Sequence, residues 1–345
     1  MNVLLTGGAG FIGANITAAL LNDPRVSLVR ILDNLATGRR ENLAEFEAHP
    51  KFEFVEADIR DYDAVYQACT GIDRICHQAA LGSVPRSIGD PITSNAVNVD
   101  GTLNVFWAAH QHGIKRVVYA ASSSTYGDSP DLPKREDRIG RPLSPYAVTK
   151  LVNELYADVF GKLYGLELIG LRYFNIFGPK QNPQGPYAAV IPLFCQALLD
   201  GRPPTINGDG LQSRDFTYVD NAVQANLLAL FTDNPDALNQ VYNIACGEQT
   251  TLVDMYARLQ AVAGTDIPPV HGPERAGDVR HSLADISRAE RLLGYAPAVG
   301  IHEGLKRVFD WYAGMLGIVS PHPAPFLGGA LGVVPPPCPP PRGDA

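Results

Sequence analysis

Tyr146 and Lys150 stand four residues apart in SPYAVTKLVNELYADVF, directly after Pro145. A free tyrosine keeps its proton to about pH 10, and a free lysine keeps its charge to about the same value. Neither is a catalyst at neutral pH by itself. The segment is strongly helical in composition, and an i, i+4 pair shares one helix face. An ammonium beside a phenol favours the phenolate, so a second positive charge close by would make the tyrosine a usable base. By itself the spacing is common on helices; its meaning depends on what surrounds it.

Apolar, β-branched runs alternate with helical patterns through the first half of the chain. Strands are expected at 2–7, 27–33, 52–58, 74–80 and 116–122, with helices near 11–22, 61–69 and 95–112. This alternation requires right-handed crossovers and a parallel sheet covered on both faces. The expected fold class is α/β, a Rossmann-type doubly wound parallel sheet with a smaller C-terminal α/β substrate lobe. A nucleotide-binding domain is expected over 1–175 and a substrate lobe over 176–315. Late strands at 167–174 and 240–245 are interleaved with the sheet, and helices are expected at 188–200, 220–232 and 251–263. Residues 319–345 are rich in proline and glycine and read as a flexible tail.

The first strand runs into TGGAGFIG, with Gly7, Gly10 and Gly13 at the junction with the first helix. Glycines there tighten the turn and let a pyrophosphate approach the backbone at a helix N-terminus. Asp33 ends the second strand, twenty residues past Gly13. An acid at that place accepts the ribose hydroxyls of an adenosine and repels a 2′-phosphate, which favours NAD over NADP. Arg39 and Arg40 lie close enough to oppose that preference. Asp58 and Ile59 end the third strand, placed for adenine, and the small Ala79 and Ala80 end the fourth. Phe11, Ile12, Asn34, Thr37 and Gly38 complete the expected cofactor set. The oxidised nicotinamide would supply the second positive charge beside Tyr146 and Lys150.

The chain has 345 residues, 46% of them hydrophobic, and a net charge of −8. The acidic balance argues against nucleic-acid binding. Five cysteines at 69, 76, 195, 246 and 338 form no CxxC pair and read as reduced thiols, so a cytoplasmic location is expected. No apolar run is long enough for a membrane span, and no metal site is expected.

AASSSTYGD (120–128) follows the fifth strand and places hydroxyls at its C-terminal end; LRYFNIFGP (171–179) follows the sixth. With the glycine turn, Asp33 and the Tyr146–Lys150 pair, the chain resembles the extended short-chain dehydrogenase/reductase superfamily, in its nucleotide-sugar epimerase/dehydratase branch. The resemblance runs from residue 1 to about 314. It implies that Tyr146 removes a proton from a sugar hydroxyl while the carbon's hydride passes to NAD. It implies that Ser122, four residues before Tyr126, hydrogen-bonds the same hydroxyl, with Ser123 second in line. It places Asn98 near the nicotinamide ribose, and Phe174 and Asn175 at the nicotinamide and the sugar diphosphate.

Arg214 and Arg275 lie in segments that resemble those covering UDP in the epimerases, and arginine forks suit diphosphate oxygens. Asp278 would bind the nucleotide ribose, and Ala189 and Val190 would lie along the uracil. A bulky aromatic commonly occupies the position of Ser282 in epimerases restricted to non-acetylated hexoses. LGSVPRSIGDPI (81–92) resembles the matching loop of bacterial UDP-N-acetylglucosamine 4-epimerases, with Ser83, Val84 and Ser87 against the sugar.

The expected function is therefore a UDP-N-acetylglucosamine 4-epimerase. UDP-glucose 4-epimerase or a uronic-acid 4-epimerase is the alternative, Arg86 offering a charge for a carboxylate. Members of the 4,6-dehydratase branch carry an Asp–Glu pair after the catalytic Ser/Thr; Ser123 and Ser124 stand there instead, which argues against that chemistry. A decarboxylase or reductase is less favoured. A protein that only binds NAD has no need of Ser122, Tyr146 and Lys150 together. By analogy with relatives, helices near 95–112 and 147–163 would pair with a second copy as a four-helix bundle.

Overall fold

A computed structural model describes residues 1–184, 188–274 and 280–318. The expected tail, 319–345, and the residues Arg275 and Asp278 lie outside the described residues. Strands β1 (Asn2–Thr6), β2 (Leu28–Asp33), β3 (Phe52–Glu56), β4 (Arg74–His77), β5 (Arg116–Ser122) and β6 (Glu167–Tyr173) share one sheet with a late strand, Gln240–Ile244. The order across it is Gln240–Ile244, β6, β5, β4, β1, β2, β3, and every neighbouring pair is parallel. The chain steps outward from β1 to β3, then returns to the other side of β1 to start β4. That reversal opens a crevice at the C-terminal ends of β1 and β4, where sheets of this kind bind ligands.

Side chains alternate across each strand, so both faces need cover. Val3 and Leu5 enter one core with Ile16 and Leu20 of α1 (Phe11–Asn22), while Leu4 enters the other with Val65 of α2 (Tyr62–Ala68). Burying each large apolar side chain of this sort contributes about 1.5–3 kcal/mol.

The helix expected at 95–112 starts earlier. Asp90 accepts the Thr93 N–H at 3.0 Å and Pro91 takes the first position. A short α3 (Val84–Gly89) precedes it; α4 (Pro91–Asn95) then runs through a π-turn at Ala96–Asp100 into α5 (Gly101–Gln111). Such π-turns recur at functional sites. The next helix, α6 (Pro145–Tyr164), carries its own signals: Ser144 caps Ala147 N–H, Pro145 opens the first turn, and Gly165 closes it at φ 65°.

The smaller lobe packs α7 (Val190–Leu199), α9 (Leu252–Ala263) and α11 (Ile301–Met315) beside short strand pairs, while α8 (Val219–Phe231) crosses back against α1 and the sheet. Thr205–Asn207 pairs with Val270–Gly272, Ser213–Arg214 with Thr250–Thr251, and Ile176–Phe177 with Thr217–Tyr218. Among the described residues, no helix is long and apolar enough to cross a membrane.

Candidate active site

The turn from β1 into α1 exists only because its glycines lack side chains. Gly7 has φ 74°, and a Cβ on it would stand 2.6 Å from Ala79 N, where the ends of β1 and β4 meet. A Cβ on Gly13 would stand 2.1 Å from Gly7 O. Gly10 begins the helix without a capping side chain, so the first N–H groups of α1 face a groove of about 630 Å³. Gly7, Gly10, Phe11, Ile12 and Gly13 all line it, as do Ala79 and Ala80.

Asp33 closes one end of this groove. It is 7% exposed; Ala9 N–H donates to one carboxylate oxygen at 2.9 Å and Leu35 N–H to the other at 2.8 Å. Burial pushes its pKa up, and those two donors oppose the shift. Asn34 and Thr37 line the groove beside it. Gly38 does not: it packs against Ala9, where a Cβ would meet the carbonyl carbon at 2.8 Å, and so brings the loop onto the glycine turn. Asp58 and Ile59 lie on the wall as expected, and the Arg60 guanidinium forks onto Asp58 and holds its carboxyl at about 2. Arg40 pairs with Glu47 at 3.2 Å and covers the Phe54 ring at 4.8 Å. Its charge is partly matched, which leaves the preference set by Asp33 standing.

Ser122, Tyr146 and Lys150 meet at the other end of the groove. Ser122 ends β5, and its oxygen accepts from Ser124 N–H at 3.1 Å and from the Ser124 hydroxyl at 2.8 Å. Its own proton is then left for the Tyr146 phenol, to which it is hydrogen-bonded. Burial pushes the phenol up and the Ser122 bond pulls it partly back. Lys150 is 3% exposed, donates to Ala120 O at 2.8 Å and stands 6.0 Å from the Tyr146 ring centre. Burial brings it down to about 8, the Glu154 carboxylate opposing. Within the protein itself, then, burial outweighs the acidifying effect expected from the lysine. A further positive charge beside the phenol would act in the opposite sense to burial.

Several residues expected at the ligands are hydrogen-bonded or packed within the protein in this structure. The Asn98 amide is engaged: its oxygen accepts Leu81 N–H at 2.8 Å, and its nitrogen donates to Leu81 O at 3.2 Å and to Thr149 Oγ1 at 3.1 Å. Thr149 in turn donates to Tyr146 O at 2.8 Å. Asn98 thus ties the loop after β4 to the helix of Tyr146, off the groove wall. Ser87, expected against the sugar, is fully buried; it donates to Val84 O at 2.8 Å and accepts Tyr146 N–H at 3.0 Å. Val84 is 40% exposed and, like Ser123, does not line the groove, while Ser83 lines it and caps α3.

The Phe174 ring is in the core, 5.9 Å from the Tyr126 ring, and not at the groove. Tyr173 takes that wall instead, donating to Gln78 Oε1 at 3.0 Å and accepting from Asn226 Nδ2 at 2.7 Å. The sheet register pairs Tyr173 with Ser122, the signal that would have found it. Gln78, Ile176 and Gln181 are further wall residues that spacing did not single out.

A second cavity of about 270 Å³ adjoins the first, and Asn175 and Ile176 line both. Ala189, Val190, Phe194 and Phe216 give it apolar walls, and Arg214 lines it. The Arg214 guanidinium donates to Ser213 O at 2.8 Å. Ser282 borders this region: its N–H donates to Ser213 O at 3.1 Å, but it lies on neither wall. A groove with a glycine turn and helix N-terminus, an acid at the end of β2 and a Ser–Tyr–Lys set fits a dinucleotide. The adjoining cavity offers apolar walls and a guanidinium, the chemistry that suits a flat ring and an anionic group.

The model of the "NAD dependent epimerase/dehydratase family" matches residues 3–245. A UDP-glucose 4-epimerase of Mycolicibacterium smegmatis is 38% identical over 319 residues, covering 90% of this chain and 98% of its own. The structure of a UDP-N-acetylglucosamine 4-epimerase from Methanobrevibacter ruminantium, in complex with UDP-N-acetylmuramic acid, is 40% identical. It superposes with a TM-score of 0.86 and covers 91% of this chain and 98% of that one. A Thermus thermophilus UDP-glucose 4-epimerase in complex with NAD is 36% identical, with a TM-score of 0.81, covering 91% and 99%.

Proposed function

The chain belongs to the NAD dependent epimerase/dehydratase family, and from that premise we propose that it is a UDP-N-acetylglucosamine 4-epimerase. The observation that carries the reading is the continuity of the two cavities. Asn175 and Ile176 join a groove ending at Ser122, Tyr146 and Lys150 to a cavity holding Arg214. A UDP-sugar spans that path with its diphosphate at Arg214, its base along Ala189 and Val190, and its hexose at Tyr146.

The glycine turn, Asp33 and Lys150 would hold NAD, which when bound would supply hydride acceptance and return at C4. Tyr146 takes the O4 proton and later gives it back, and Ser122 orients the same hydroxyl. Hydrogen bonds from Ser124 fix the Ser122 oxygen, and Lys150, tied to Ala120 O, is positioned to balance the phenolate. The UDP end anchors the substrate while the 4-keto sugar turns over. Ser123 and Ser124 provide no acid for the C6 elimination of a dehydratase.

The acetylated sugar is favoured by the resemblance, which has Ser282 where epimerases restricted to non-acetylated hexoses commonly carry a bulky aromatic, and by the M. ruminantium relative. The second reading, UDP-glucose 4-epimerase, rests on the M. smegmatis and T. thermophilus relatives. Purified protein incubated separately with UDP-N-acetylglucosamine and UDP-glucose decides between them by the C4 epimer formed. Tyr146→Phe should keep bound NAD and lose about 10²–10⁴-fold in turnover, the usual worth of a general acid–base group. Undiminished conversion by that variant would remove Tyr146 as the base.

A further inference from the structure

We propose that Asp215 is the positioning residue of the nucleotide-diphosphate end, gathering three chain segments around the wall that holds Arg214. Asp215 is fully buried. One carboxylate oxygen accepts Cys246 N–H at 3.0 Å; the other accepts Gly247 N–H at 3.1 Å and Ala284 N–H at 3.2 Å. Its backbone carbonyl accepts Asn175 Nδ2 at 3.2 Å. One residue thereby touches the loop after the strand Gln240–Ile244, the segment carrying Ser282, and the side chain shared by both cavities. Arg214 is its chain neighbour and takes its direction from the same backbone.

The donors are all N–H groups, so only an acceptor with no proton of its own can serve them together. A carboxylate does so; a carboxylic acid or a carboxamide brings a donor into the cluster and leaves an N–H facing it. Burial pushes Asp215 up to about 6, with the N–H groups of Cys246, Ala284 and Gly247 opposing. Among the described residues, the titratable and charged groups on the elements packed around it are Arg214 and Tyr218 on its own segment, Cys246 and Glu248 on the loop, Arg280, His281 and Asp285 on the Ser282 segment, and Tyr295; Arg280 pairs with Asp209 at 2.7 Å. His281 is taken up by Ser213 Oγ at 2.8 Å, and Tyr295 donates to Ala245 O at 2.8 Å. The Cys246 thiol is pushed up to about 12 by burial and stays neutral.

The inference rests on the reading of the second cavity as the nucleotide end, and its test does not depend on turnover. Binding of UDP-N-acetylglucosamine is measured by calorimetry on Tyr146→Phe holoenzyme, with and without Asp215→Asn, at pH 7.5 and pH 5.0. This ligand's diphosphate diester keeps its charge over that range. The expected result is a Kd about tenfold higher at the lower pH, as a group required in its ionised form imposes one unit below its midpoint. Asp215→Asn should bear a similar loss at pH 7.5, respond little to pH, and retain NAD. An unchanged Kd and pH response in Asp215→Asn overturns the proposal. If that variant does not fold, a parent Kd that is flat with pH overturns it equally. Failure of the epimerase reading shows separately, as the absence of a C4 epimer from the unmodified protein; a parent that binds the ligand at neither pH overturns both.

Discussion

Lys150 stands near Tyr146 without holding its oxygen, and that separation makes its influence one of charge. Its ammonium is fixed on Ala120 O and lies 6.0 Å from the phenol ring centre. A positive charge held there favours the phenolate through space, without a hydrogen bond to the oxygen. Burial already lowers Lys150 to about 8, so part of that charge is lost on the alkaline side. Removing the cation raises the phenol pKa, and the base form is then populated only at higher pH. Lys150→Met should therefore shift the acid limb of kcat to higher pH. A pH–rate profile with an unmoved acid limb would show that the lysine acts by binding the cofactor alone.

At the scale of elements, the glycine turn leaves no room for substitution. A Cβ at Gly13 would sit 2.1 Å from Gly7 O, a backbone atom that cannot swing aside. Gly13→Ala should destabilise the protein by about 1–3 kcal/mol, the range for overpacking, and release NAD; a thermal melt and the bound-NAD content of the purified variant check both. This turn, α1 and α6 were legible in the sequence because glycine, proline and serine each act at one fixed position. The parallel sheet was legible from alternation, and its late strand Gln240–Ile244 from composition. Less was legible where the chain changes face. Tyr173 on the wall and Phe174 in the core are consecutive residues, and only the strand register tells them apart. Asn98 and Ser87 have the chemistry of ligand contacts, yet backbone groups take up both. Spacing cannot distinguish a polar side chain aimed at a ligand from one that holds the helix beside it. The amphipathic α11 buries Ile301, Leu305, Val308 and Tyr312, a stripe readable in sequence that the proline and glycine around it obscured.

At the scale of the molecule, α6 faces two ways. Tyr146 and Lys150 look into the groove, while Leu155, Val159 and Leu163 stand 59%, 44% and 70% exposed on the outside, with Trp107 of α5 also on the surface. An apolar stripe of this kind suits a self-complementary contact, which supports the proposed four-helix pairing of two copies. If the pairing holds, the parent should sediment as a dimer and Leu155→Asp with Val159→Asp as a monomer in sedimentation equilibrium; an unchanged mass would place any partner elsewhere. The strand Gln240–Ile244 has a different consequence. It comes from the midst of the lobe's stretch of sequence, yet it covers the outer edge of β6. A polypeptide ending near residue 175 would bare that edge, with its row of unpaired amides and carbonyls open to any neighbouring chain. The dinucleotide half cannot be borrowed as a free-standing module; its completion waits on residues synthesised long after the tyrosine has emerged.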